Sequence, residues 1–219
     1  MRKKYWFERI LYICLFLNVF FLNYDRKEVQ TFVVEAEQPK IALTFDDGPS
    51  IYTEKLLDGL EKRNVKATFF VIGKSAEVFP EIVRREEEEG HLVGNHTYNH
   101  VEIGRLSIKE ARYEIERTNE ILEELTQKKI EYVRPPFGIW EEELNDLEMI
   151  SVMWSIDTLD WTTENVDEIV NKVVTQVGEN DIILMHDCYQ STVEATFRII
   201  DLLKAQGYEF VTVDELLIE

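Results

Sequence analysis

Two adjacent aspartates and four histidines carry the chemistry open to this 219-residue sequence. A strand-like run, "IALTF", ends abruptly in Asp46-Asp47 and then Gly-Pro. Asp, Gly and Pro are ordinary turn formers, and a turn alone accounts for such an ending. A turn needs only one Asp, however, and no partners elsewhere. The stretch "GNHTYNH" supplies partners: His96 and His100 stand four apart, a spacing that sets both imidazoles on one face of a helical turn. Two such histidines can share a metal ion. One added carboxylate completes a two-His, one-carboxylate set with positions open to water and substrate. Asp47 is the candidate third ligand, and Asp46 beside it the candidate base for the proton of the attacking water. His91 precedes a buried strand and is assigned to structure.

The elements that must position these groups alternate between strand and helix. Strands are expected over 41–45, 67–72, 92–94, 132–134, 150–156, 181–185 and 208–213, several of them continuous apolar runs suited to burial on both faces. Helices are expected over 53–63, 75–89, 107–126, 166–176 and 193–206. About seven parallel strands with interleaved helices make an α/β barrel or a doubly wound sheet. In either architecture active groups gather at the C-terminal ends of strands, where Asp46-Asp47 stands. "YVRPPFG" ends the fourth strand. It reads as a rigid strand exit, or as a device that turns Arg134 toward the carboxylates and the Phe137 N–H into the site. "SIDTLDW" and "ILMHD" end the next two strands, the second bringing His186.

Composition sets limits. The chain is 45% hydrophobic and 31% charged, with a formal net charge of -19. Beyond residue 38 it holds 18 Lys/Arg against 38 Asp/Glu, which excludes a nucleic-acid partner, since that needs a basic footprint. The run "REEEEG" at 85–90 reads as a solvated face. At the N-terminus "MRKK" precedes the uncharged "ILYICLFLNVFFL", the form of an export signal or a membrane anchor. Residues 1–24 are assigned to that segment, 25–38 to a linker and 39–219 to one domain. Membrane contact is expected through the N-terminal segment only, and the location is extracellular or at the cell surface. Cys14 falls in the apolar segment, so the domain keeps Cys188 alone, without an internal disulfide or a Cys-rich metal site.

"TFDDGP", "HTYNH", "RPPFG", "DTLDW" and "LMH" occur in this order. Together they resemble the five motifs of the polysaccharide deacetylases, carbohydrate esterase family four or the NodB-homology domain, over 39–219. The resemblance implies a distorted (β/α) barrel with a substrate groove at the C-terminal strand ends. It implies that Asp47, His96 and His100 bind a divalent metal, commonly zinc, with cobalt as the other candidate. Asp46 would be the catalytic base and His186 the catalytic acid. Arg134 and Asp160 would orient them, Phe137 would offer its backbone N–H to the oxyanion, and Trp161 and Leu184 would line the pocket of the acetyl methyl. The implied activity is metal-dependent removal of N-acetyl groups from an extracellular glycan, either peptidoglycan or a chitin-like oligomer. An O-acetyl xylan esterase and a non-catalytic glycan-binding module are the alternatives.

Overall fold

The computed structural model describes residues 38–217. The expected signal or anchor, and all of the expected linker but Gln38, lie outside them. Eight strands form one sheet: β1 (Lys40–Asp46), β2 (Thr68–Val71), β3 (Leu92–Asn95), β4 (Tyr132–Val133), β5 (Ile150–Ser151), β6 (Ile156–Asp157), β7 (Asp181–His186) and β8 (Glu209–Val211). Seven run in the order β5-β4-β3-β2-β1-β7-β6, and β8 pairs with the first half of β1. Every pair is parallel. The helices are α1 (Thr53–Arg63), α2 (Gly73–Val78), α3 (Pro80–Glu88), α4 (Ile108–Thr126), α5 (Val166–Val174), α6 (Gln190–Ala205) and α7 (Val213–Leu217). The architecture is an α/β half-barrel, with β5 and β6 as its two edges.

Side chains alternate along β1, as a strand's period of two requires. Ile41, Leu43 and Phe45 join the larger core beneath the helices. Ala42 belongs to a second, smaller cluster with Phe70, Tyr132, Val152 and Val211. Thr44 and Asp46 share the face of Ala42, so the alternation that buries the strand also turns Asp46 toward this second cluster. Helix ends follow local chemistry. Asn64 caps α1 with φ 49, and Asn tolerates that left-handed conformation. Ser107 and Glu110 form a capping box on α4, and the Asn165 side chain caps α5.

Three expectations need correction. The strand expected over 150–156 is two short strands on opposite edges. Val152 N–H still donates to Val133 O at 2.8 Å, whereas Ser155 N–H donates to Ile182 O at 2.9 Å, so the chain crosses from β4 to β7 within three residues. The helix expected over 75–89 is broken at Phe79, and Pro80 opens the second piece from the first-turn position where its missing N–H costs nothing. The run at 85–90 is not wholly solvated. Arg85 pairs with Asp58 and Glu89, but Glu86 shares the buried face of α3 with Ile82 and Val83.

Neither carboxyl oxygen of Glu86 has a hydrogen-bond partner among the described residues. Burial pushes its pKa well above the ordinary 4.5, and Asp187 adds to the rise. The folded state therefore holds a proton that the unfolded chain releases. Stability is full below the ordinary value and falls as pH climbs toward the folded one, by at most about 1.4 kcal/mol per pH unit for one proton. Glu86→Gln should flatten that loss. Urea unfolding of parent and variant at pH 5 and pH 8 checks it, and parallel pH dependences would show that Glu86 is not the cause.

Candidate active site

Asp46 and His186 are register partners at the ends of β1 and β7. The sheet itself places them side by side. Asp46 is buried, and its Oδ1 accepts from Arg134 Nη1 at 2.8 Å. The Arg134 side chain is fully buried and every arm of it is engaged. Nη1 also donates to Thr44 Oγ1 at 2.7 Å, Nε to Val152 O at 3.1 Å and Nη2 to Met153 O at 3.1 Å. The guanidinium lies 4.2 Å from the centre of the Phe70 ring, within cation–π range. A carboxylate held this way has one orientation. Of the two adjacent carboxylates, Asp46 is the one paired with Arg134.

Asp47 follows with φ 71, a conformation that Asp tolerates better than most residues. The next residue must be Gly48, because a Cβ there would collide with the buried Asp187 carboxyl group. Asp47 Oδ1 stands 3.4 Å from His96 Nε2 and 3.3 Å from His100 Nε2. The three ligand atoms lie within 4.8 Å of one another. That oxygen is buried and accepts no hydrogen bond among the described residues, a costly state for a carboxylate unless a cation meets it. His96 Nδ1 is 2.6 Å from Arg134 O. A carbonyl only accepts, so Nδ1 carries the hydrogen and Nε2 offers its lone pair toward Asp47. Burial holds the His100 pKa below its ordinary 6.5 against the pull of Asp47, leaving a neutral ring able to ligate. Burial also works to raise the Asp47 pKa, but His96, His100 and His186 outweigh it and keep it lowered. Donor types, tautomer and orphaned oxygen all fit a divalent cation held by three protein ligands.

The histidine pair does not lie on a helical turn. Residues 96–100 form an irregular loop after β3, with φ 63 at Thr97 and 55 at His100. Asn95 is the cause: its Oδ1 accepts from Thr97 N–H at 2.7 Å, a local bond that replaces the helical alternative. The rings still meet, with centres 5.0 Å apart.

Across the site, His186 Nδ1 donates to Asp160 Oδ1 at 2.8 Å. Asp160 Oδ2 accepts from His186 N–H and from Thr192 Oγ1, both at 2.7 Å. Burial alone would lower the His186 pKa, but the Asp160 carboxylate prevails, helped by Asp46 and Asp47, and pushes it up to about 9. With Nδ1 committed to Asp160, only Nε2 can reach a ligand. The groups open onto a cleft of about 360 Å³ walled by Phe137, Trp154, Asp157, Trp161, Leu184 and Tyr189. Trp161 and Leu184 line it as the sequence suggests. Phe137 has φ 61 and sets its ring edge-on to His100 at 5.2 Å. Trp154 and Tyr189 are cleft residues that the sequence does not single out, and Asp157, which opens the motif "DTLDW", joins them there without an assigned role. Trp154 is concealed by the expected long strand and emerges only where that strand divides.

Comparison with known proteins agrees with this geometry. The family model described as polysaccharide deacetylase matches residues 34–149. Over 186 residues the chain is 41% identical to a peptidoglycan-N-acetylglucosamine deacetylase of Bacillus cereus, covering 81% of this chain and 68% of that protein. Over 185 residues it is 41% identical to the peptidoglycan-N-acetylmuramic acid deacetylase PdaC of Bacillus subtilis, covering 84% of this chain but only 40% of that longer protein. The solved structure of PdaC superposes with a TM-score of 0.80, covering 82% of this chain and 90% of the solved one. The chain belongs to the polysaccharide deacetylase family.

Proposed function

We propose that this protein removes N-acetyl groups from the amino sugars of peptidoglycan, outside the cell, with a divalent metal held by Asp47 Oδ1, His96 Nε2 and His100 Nε2. The observation that carries the reading is the orphaned Asp47 oxygen facing two imidazole nitrogens, with a base and an acid on adjoining strands. The relatives' action on peptidoglycan supports the substrate, and the basic then apolar N-terminus supports export.

Bound there, a zinc-like cation supplies Lewis acidity for the acetamide carbonyl and lowers the pKa of water toward 7. The chain's own residues do the rest. Asp46, fixed by Arg134, takes the proton of the attacking water. His186 gives the Nε2 proton to the departing nitrogen, and its pKa near 9 keeps that proton available at neutral pH. The backbone N–H of Phe137 serves the oxyanion. Trp161 and Leu184 receive the methyl group and exclude water from it.

Chelation followed by dialysis should abolish acetate release, and zinc or cobalt should restore it. Full activity in protein shown metal-free by elemental analysis would refute the metal reading. The substrate is tested by acetate release from peptidoglycan, chitooligosaccharides and acetylated xylan in parallel. Release from xylan alone would favour the esterase, and binding without release the glycan-binding module.

A further inference from the structure

The segment "NHTYNH" holds an internal regularity: each histidine is preceded by an asparagine. Both asparagines are anchored on one helix, α4. Asn95 Nδ2 donates to Ile115 O at 2.9 Å and to Asn119 Oδ1 at 2.7 Å. Asn99 is gripped twice by Glu114, its backbone N–H donating to Oε2 at 2.8 Å and its Nδ2 to Oε1 at 2.9 Å. Glu114 is only 8% exposed. The loop backbone is tied from the other side, where Gly73 and Lys74 N–H donate to Thr97 O and Tyr98 O at 3.0 and 3.1 Å.

We infer that Glu114 is a positioning residue for the metal centre, clamping the loop so that His96 and His100 stand at ligating distance before any ion arrives. His100 shows why a clamp is needed. It carries a positive φ of 55, an uncommon conformation outside glycine although His tolerates it better than most. Asn99 is the residue immediately before it, and Glu114 fixes both the backbone and the side chain of Asn99. Without that grip the loop gains alternatives in which His100 faces water, and ordering it would be charged against metal binding. Asn95 and Asn119 fix the same helix to the His96 end, so α4 sets the spacing between the ligands. The inference rests on the proposed metal site, and it concerns how tightly that site binds.

The test is a zinc titration against a chromogenic chelator, using parent, Glu114→Ala, Glu114→Gln, Asn99→Ala and the Glu114→Ala/Asn99→Ala pair. Groups that orient metal ligands typically change affinity by about 10–100-fold. Glu114→Ala removes both bonds and should weaken zinc binding by that amount, whereas Asn99→Ala keeps the backbone N–H bond to Glu114 and should weaken it by less. The pair should lose little more than Glu114→Ala alone, since that variant already removes both bonds to Asn99. Glu114→Gln keeps one acceptor oxygen and should fall between. The metal-free melting temperature of Asn99→Ala, which leaves the helix untouched, should stay near the parent's while its zinc affinity falls. Zinc affinity within twofold of the parent in folded Asn99→Ala and Glu114→Gln overturns the clamp. Additive losses in the double variant overturn it as well. A parent that binds no zinc overturns the metal reading itself, and the clamp with it.

Discussion

Asp46→Asn should keep its metal and lose acetate release by roughly 10²–10⁴-fold, the usual contribution of a positioned proton acceptor. The amide retains the shape of Asp46 and can still meet Arg134 through its oxygen, but it cannot accept a proton from water. Asp47→Asn should behave in the opposite manner. Its Oδ1 is the charged oxygen between His96 and His100, so an amide there weakens metal binding. Excess zinc should then partly restore activity to Asp47→Asn and not to Asp46→Asn. Metal content and acetate release, with and without added zinc, check both variants. Zinc rescue of Asp46→Asn would mean that the two neighbouring carboxylates have been given each other's work.

The second large effect is expected at His186. Replacing it with Ala should leave metal content unchanged and lower amide hydrolysis by roughly 10²–10⁴-fold, with a smaller loss on esters, whose leaving group needs a proton less. The pH profile gives a sharper test through Asp160. Imidazolium at His186 is present below about pH 9 and is lost as pH rises through that value, so activity should decline on that limb. Asp160→Asn removes the carboxylate that holds the proton, and the decline should move to lower pH. Bound metal would offset the smaller share due to Asp47 and leave that of Asp160 in place. The same shift stabilises the fold below the ordinary pKa of 6.5, and this contribution fades as pH climbs through about 9. An alkaline limb unmoved in Asp160→Asn would remove His186 from the role of acid.

The site was more legible in the sequence than the fold around it. Asp46, Asp47, His96 and His100 stand out by type and spacing, whereas His186 is unremarkable alone and stands out only through the resemblance of its motif. Helix α1 and strand β1 were readable because the apolar period persists for many residues. The division of 150–156 was not readable. Both halves are apolar, and the choice of partner strand depends on where the barrel wall runs out, which is a tertiary matter. The loop form of 96–100 was hidden for a different reason, since a spacing of four fits a helical turn and an Asn-led loop equally well. Glu86 escaped because four consecutive glutamates carry no mark of which one α3 turns inward. Trp154 was lost with the strand that was expected to contain it.

The crossing from β5 to β6 has a consequence beyond topology. Here the wall is closed by four residues of chain, and two of their carbonyls, Val152 O and Met153 O, are held by the guanidinium that holds Asp46. Arg134 is thus a keystone between the seam of the barrel and the Asp46 carboxylate. A breathing motion that parts the seam takes two acceptors from Arg134 and releases Asp46 from its fixed pose. Local openings of a fold cost less free energy than global unfolding. Parting the seam would therefore free Asp46 while leaving the rest of the sheet in place.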